Sequence, residues 1–213
     1  PTLAVLGAVS IVWGAAVALR QTDLKRIVAY SSVSHMGYVT LGIASGSTAG
    51  IMGASVQMFS HGLIAGMSFL LVGALYERAH TRDIDAFGGI VKVAPVLSAT
   101  LVLAAFASAG LPGLSGFVGE FLVVVGAFPE HRVLAVIAAA AVVATCGYLL
   151  WMLRVVVFGP LNEERAEFPE MTRTEAISIA PLAALSLAVG LVPSSLASVM
   201  DAAVESVLRA LGG

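Results

Sequence analysis

Six long apolar runs leave few folds open to this chain. A membrane-spanning helix needs about 20 mostly apolar residues. Residues 3–19, 27–44, 51–76, 95–128, 133–158 and 176–199 each approach or exceed that length. None alternates with a two-residue period, which disfavours a barrel. The pattern predicts an all-α, polytopic membrane bundle with six transmembrane helices. Gly46 and Gly50 form a short turn before the third. Residues 201–211 are amphipathic and are expected at the membrane interface.

Composition supports the same class. Charged residues make up 11% of the chain, against roughly 25% in a soluble domain. A net charge of -2 excludes nucleic-acid binding driven by bulk electrostatics. The single cysteine, Cys146, can form no internal disulfide and is expected to fill a small space in the core. The chain opens on Pro1 inside an apolar run with no basic region ahead of it. A signal peptide is therefore not expected, and a longer parent protein is.

Threading six spans puts loops 20–26, 77–92 and 160–174 on one side. They carry Arg20, Lys25, Arg26, Arg78, Arg82, Lys92, Arg165 and Arg173, with Arg154 close by, whereas the other side holds Arg132 and Arg209. The bias predicts cytoplasmic charged loops and a C-terminal tail outside. The stretch 162–175 is expected to be a solvated connector.

The fourth run is too long for one straight span. Its 34 residues would extend about 50 Å as a helix, beyond a hydrocarbon core of about 30 Å. Gly110-Leu-Pro-Gly-Leu-Ser-Gly116 supplies a break, because Pro112 removes a helical hydrogen bond and Gly110, Gly113 and Gly116 tolerate unusual dihedrals. Broken helices recur at transporter binding sites. Glu120 follows this break and is the one acid inside an otherwise uncharged stretch. An ionisable group at membrane depth usually serves an ion or proton path.

Two histidines join it. His35 shares a helix face with Ser31 and Tyr38, and His61 follows Gln57 by one turn. A neutral imidazole can relay a proton or simply hold helices together. Gly62 and Gly66 form a weak close-packing motif. His80 and His131 fall in loops and are expected to be solvated. The chain has no phosphate-binding loop, dinucleotide fingerprint or paired-histidine spacing. Transport chemistry remains.

The stretches from Gln21-Thr-Asp-Leu-Lys to Ser34-His-Met-Gly-Tyr38, Ser60-His-Gly-Leu-Ile-Ala-Gly66, Tyr76-Glu-Arg-Ala-His-Thr-Arg-Asp83 and Ala107 to Phe121 resemble the antiporter-like membrane subunits of respiratory complex I. Glutamate at position 120, where sister L and N types generally carry lysine, makes the chain most similar to the M type of NADH-quinone oxidoreductase. The resemblance implies that 1–159 form the second of two inverted five-helix repeats, with 160–213 as connector, last helix and tail. It implies that Glu120 is the terminal proton carrier, that His61 lies on a connecting hydrophilic axis, and that His35 lies near the second half-channel. The implied function is the exit half of a proton path coupled to quinone reduction elsewhere, as a subunit of an NADH:quinone oxidoreductase translocase. No cofactor or metal is expected in this chain; quinone, FMN and iron–sulfur clusters belong to partner subunits. Implied partners are L- and N-type subunits and lipids of a bacterial inner (plasma) membrane. A multisubunit sodium/proton antiporter or membrane-bound hydrogenase is the alternative, and a non-conducting spacer the third reading.

Overall fold

The computed structural model describes residues 1–163 and 167–210. Arg165 and Leu211, placed above in a loop and in the tail, lie outside them. The described residues form eight α-helices: α1 (Thr2–Ala18), α2 (Leu24–Ala44), α3 (Thr48–Ala79), α4 (Pro95–Ser108), α5 (Ser115–Ala127), α6 (Arg132–Val156), α7 (Arg173–Leu191) and α8 (Ser194–Ala210). Two 3₁₀ turns, Ile84–Ala86 and Ile90–Lys92, lie between α3 and α4. By length and composition, α3, α6 and α7 can each cross a membrane, while α1, α4 and α5 are shorter apolar helices.

The fourth run divides into α4 and α5. The intervening backbone turns through left-handed dihedrals at Gly110 (φ 72°) and Gly113 (φ 94°), which only glycine adopts cheaply. Gly116 belongs to α5 instead of the break. It permits a close approach, since a Cβ there would collide with the Ala107 carbonyl of α4. The sixth run is also shorter than its pattern suggests. α7 stops at Leu191, and a separate amphipathic helix starts at Ser194. Val192, which precedes Pro193, sits at φ -130° and ψ 68°, outside the helical region that a following proline ring disfavours.

Glycines bring several helix backbones into close contact beside a large apolar core. A Cβ on Gly14 of α1 would lie 2.5 Å from the Ser34 nitrogen of α2, and one on Gly53 of α3 would lie 2.6 Å from the Val123 nitrogen of α5. Such contacts bring backbones together where lipid tails give no hydrophobic advantage to side chains. Gly62 faces open space and Gly66 meets only Leu182 at 3.6 Å, so their motif joins no backbones.

The three charged loops gather at one end. Leu24 N–H donates to Arg82 O (2.9 Å), Ile84 N–H to Thr22 O (2.8 Å) and Asn162 N–H to Gly88 O (3.3 Å). The connector between α6 and α7 is not simply solvated. The Glu170 carboxylate accepts from Val96 N–H (2.8 Å) and Leu97 N–H (2.9 Å), satisfying otherwise orphaned donors of α4. Arg78 grips Glu175 with two bonds of 2.7 Å and donates to the carbonyls of Pro169 and Glu170. Thr172 and Glu175 close a capping box on α7.

Candidate functional site

α2 carries His35 between two anchors. Ser34 Oγ donates to Ile11 O of α1 (2.9 Å), and Tyr38 Oη donates to Ala138 O of α6 (2.7 Å). These bonds fix the rotation of α2, so His35 can face only α3, α4 and α5. Its start is fixed too, by the Asp23 side chain accepting from Arg26 N–H (3.0 Å). Ser31 donates to Val28 O instead of His35, and Tyr38 turns away. Sharing a helix face did not bring these groups together.

His35 meets Glu120 instead. Its Nδ1 lies 2.9 Å from Glu120 Oε1, and its Nε2 lies 3.1 Å from Ser108 Oγ at the end of α4. Both members of the pair are buried, His35 at 3% exposure and Glu120 at 7%. An ionised carboxylate only accepts hydrogen bonds. With Glu120 ionised and the imidazole neutral, His35 Nδ1–H therefore donates to the carboxylate, and Ser108 O–H donates to Nε2. The His61 ring stands beside His35, with centroids 5.2 Å apart and planes tilted by 41°. The three residues singled out from sequence thus lie together, although they come from three helices.

Small residues make room for the carboxylate. Glu120 Oε2 lies 2.8 Å from where a Gly110 Cβ would stand, so the break supplies space as well as a bend. α5 is seated by Gly119, whose Cα faces the Gln57 side chain of α3. The Gln57 side chain lies against Gly119 of α5, and its Oε1 is buried with no hydrogen-bond partner among the described residues. The Ser60 hydroxyl is likewise buried and unpaired. α7 covers part of the break: Gly190 lies against Gly113 and Leu114, and Ser186 Oγ bonds Ser115 Oγ (2.9 Å). Irregular backbone within a membrane needs such cover.

His131 does not project freely into solvent; its Nε2–H donates to Ala44 O (3.3 Å). His80 is exposed and ends α3 in a left-handed conformation. Cys146 is half-buried, with Sγ 3.8 Å from Ala109 O. No group of His, Cys, Asp or Glu suited to a metal occurs among the described residues.

Residues 1–147 match the family described as NADH:quinone oxidoreductase/Mrp antiporter, transmembrane. The chain belongs to this family. It is 44% identical over 204 residues to NADH-quinone oxidoreductase subunit M of Rickettsia conorii, an alignment covering 95% of this chain and 41% of that protein. It is also 44% identical to F(420)H(2) dehydrogenase subunit M of Methanosarcina mazei, over 99% of this chain and 43% of the relative. Among solved structures, a chain of respiratory complex I from Thermus thermophilus with bound NADH superposes with a TM-score of 0.92 at 34% identity, covering 100% of this chain and 45% of that one. The chain therefore spans less than half the length of these relatives.

Ser108 and the space-making role of Gly110 are the site features that sequence alone does not mark. Ser108 is one serine among many, and its contact with an imidazole 73 positions away exists only in the fold. Its position just before the glycine–proline run is the one available signal.

Proposed function

We propose that this chain is the second antiporter-like repeat, 1–159, and the final helical segment, 160–213, of an M-type proton-translocating subunit of an NADH:quinone oxidoreductase. Glu120, His35 and His61 are its proton-transfer groups, on the exit half of the path. Six membrane crossings, formed by α1, α2, α3, α4–α5, α6 and α7, give the charged loops a cytoplasmic position and α8 an outer one. The membrane is a bacterial inner membrane. L- and N-type subunits and lipids pack around the bundle, and the flavin, iron–sulfur and quinone chemistry sits in partner subunits.

The observation that carries this reading is the buried His35–Glu120 hydrogen bond. A carboxyl in apolar surroundings favours its neutral form, while a neighbouring cation favours the ionised form. Moving charge near this pair therefore loads and unloads Glu120. Each charge moved across the membrane costs about 2.3 kcal/mol per 100 mV, so transfer must be driven by a downhill reaction elsewhere in the complex.

The test is redox-driven proton uptake by closed vesicles carrying the assembled complex with Glu120→Gln. Pumping falls while assembly and quinone reductase activity in detergent persist. Normal pumping stoichiometry removes the carrier role. Pumping that disappears when sodium is withdrawn replaces this reading with a sodium/proton antiporter.

A further inference from the structure

At the charged-loop end, a cavity of ≈ 580 Å³ opens between the 3₁₀ turn after α3 and the last turns of α6, and none of the proton-transfer residues lines it. Backbone contacts pin its walls. Val91 N–H donates to Val157 O (3.3 Å) and Asn162 N–H to Gly88 O (3.3 Å). Gly88 and Gly89 lie so close to the carbonyls of Pro160 and Gly159 that a side chain at either would collide. Asp83 caps the turn that carries Asp85, accepting from Asp85 N–H (3.2 Å). The cavity is therefore built by the fold itself, as ligand sites usually are.

Two charges of opposite sign line this cavity without meeting. Arg154 of α6 and Asp85 are both exposed, and neither side chain has a hydrogen bond or ion pair among the described residues. α6 sets their depth. Residues 133–153 carry no charge, and Arg132 and Arg154 stand about 33 Å apart along the helix, close to the thickness of a hydrocarbon core. Arg154 is thus at headgroup level. Trp151, one turn deeper, also lines the cavity, and tryptophan gathers at that boundary. Deeper still the same face is apolar, with Leu150 52% and Val143 74% exposed. Acyl chains suit such a stripe, and a headgroup carrying both signs suits the charges above it. A phosphate accepts from the Arg154 guanidinium, and an ammonium donates to the Asp85 carboxylate. A purely anionic headgroup would turn its charge on Asp85, and a quaternary ammonium has no N–H to give. A helix of another subunit packed here would bury both charges at a cost unless it brought a counter-charge to each.

We propose that this cavity binds the phosphoethanolamine headgroup of a membrane phospholipid, with the phosphate on Arg154 and the ammonium on Asp85. Trp151 and the apolar face of α6 take the glycerol and acyl portions. The bound lipid ties the end of α6 to the turn after α3. The inference rests on the membrane crossing proposed for α6, and is independent of proton transfer at Glu120.

Photolabelling of the assembled complex in detergent tests this. The probe is a phosphatidylethanolamine with a photoactivatable group in one acyl chain, and the label on α6 is counted by peptide mass spectrometry. Plain phosphatidylethanolamine should suppress that label at about a tenfold lower concentration than phosphatidylglycerol or phosphatidylcholine, the least that a hydrogen bond to a charged group gives. Asp85→Asn should abolish the preference, and Arg154→Gln should make the label weak and unsaturable. Equal competition by the three lipids, or a preference that survives both substitutions, overturns the site. An α6 that takes no label also overturns it and points to a neighbouring subunit on this face. Should a variant not assemble, competition on the unaltered complex decides. Asp85→Asn should pump protons with normal stoichiometry in closed vesicles, so a failed headgroup site leaves the Glu120 reading standing. Normal pumping by Glu120→Gln strikes that reading and leaves the lipid preference to be judged by the label alone.

Discussion

Two carboxylates paired with nitrogen bases, Glu175 and Glu120, are built in opposite ways. At the loop end, Arg78 and Glu175 sit 2.7 Å apart within a set of further bonds to the Pro169 and Glu170 carbonyls and the Thr172 cap. Arginine does not give up its proton in proteins, so that pair is a permanent clamp. In the interior, Glu120 faces a histidine, whose ring nitrogens can each donate or accept a proton, and the other side of that imidazole ends on a serine hydroxyl. The Glu175 pair keeps its charge fixed, whereas on the proposed reading the His35 pair exchanges a proton. On that reading burial alone does not make a proton site; a partner that can exchange a proton does.

The sharpest way to break this contrast is at Gly110. Gly110→Ala places a methyl group in a left-handed backbone, costing about 1–2 kcal/mol, and pushes it against Glu120 Oε2. Pumping should fall severely in vesicles although Glu120 itself is unchanged. Normal pumping would mean that the carboxylate does not depend on the space within the break. At the clamp, Arg78→Ala should destabilise the protein by about 2 kcal/mol by removing the charged hydrogen-bond partner of a partly exposed Glu175. Thermal unfolding should show the loss, and the pumping stoichiometry of assembled complexes should be unaltered.

Glu170 gives a smaller effect with a defined pH sign. Burial works against its ionisation, yet the N–H groups of Met171, Val96 and Leu97, with Arg78 nearby, hold its carboxyl below the usual range. Its contribution is complete above the ordinary glutamate value of about 4.3 and is lost as pH falls through the lower folded value. Amide-exchange protection at Val96 and Leu97 should therefore drop on acidification relative to Glu170→Gln, which lacks the transition. Equal profiles in the two proteins would remove the carboxylate cap. Last and smallest, Gly62→Ala should be neutral or stabilise by up to about 1 kcal/mol, through helix propensity, because nothing lies within 4 Å of the added carbon. A clear loss in thermal stability would show that Gly62 is a packing position.

The same contrast explains what could be read from the sequence. Apolar runs, the glycine–proline break and the isolated Glu120 mark the helices and the central acid, because membrane burial penalises charge so strongly. The division of the sixth run at Pro193 was also encoded, but hydropathy carries straight across that proline. Partners were much less legible. His35 sits 85 positions from Glu120, and the serine and tyrosine beside it on its own helix bond elsewhere. Helical spacing identifies faces, whereas the contact depends on how α2, α4 and α5 are rotated by glycines such as Gly14 and Gly53. The Glu170 and Glu175 anchors were hidden for a related reason, since loop acids resemble solvated ones until the helix ends they cap are in place.

The most direct test of the central claim is infrared difference spectroscopy of the assembled complex during turnover. The His35–Glu120 geometry predicts a protonated-carboxyl band that changes between resting and turning-over states, is missing in Glu120→Gln and is displaced in His35→Gln. An identical difference spectrum in all three proteins would contradict it, since Glu120 would then keep one protonation state throughout the cycle.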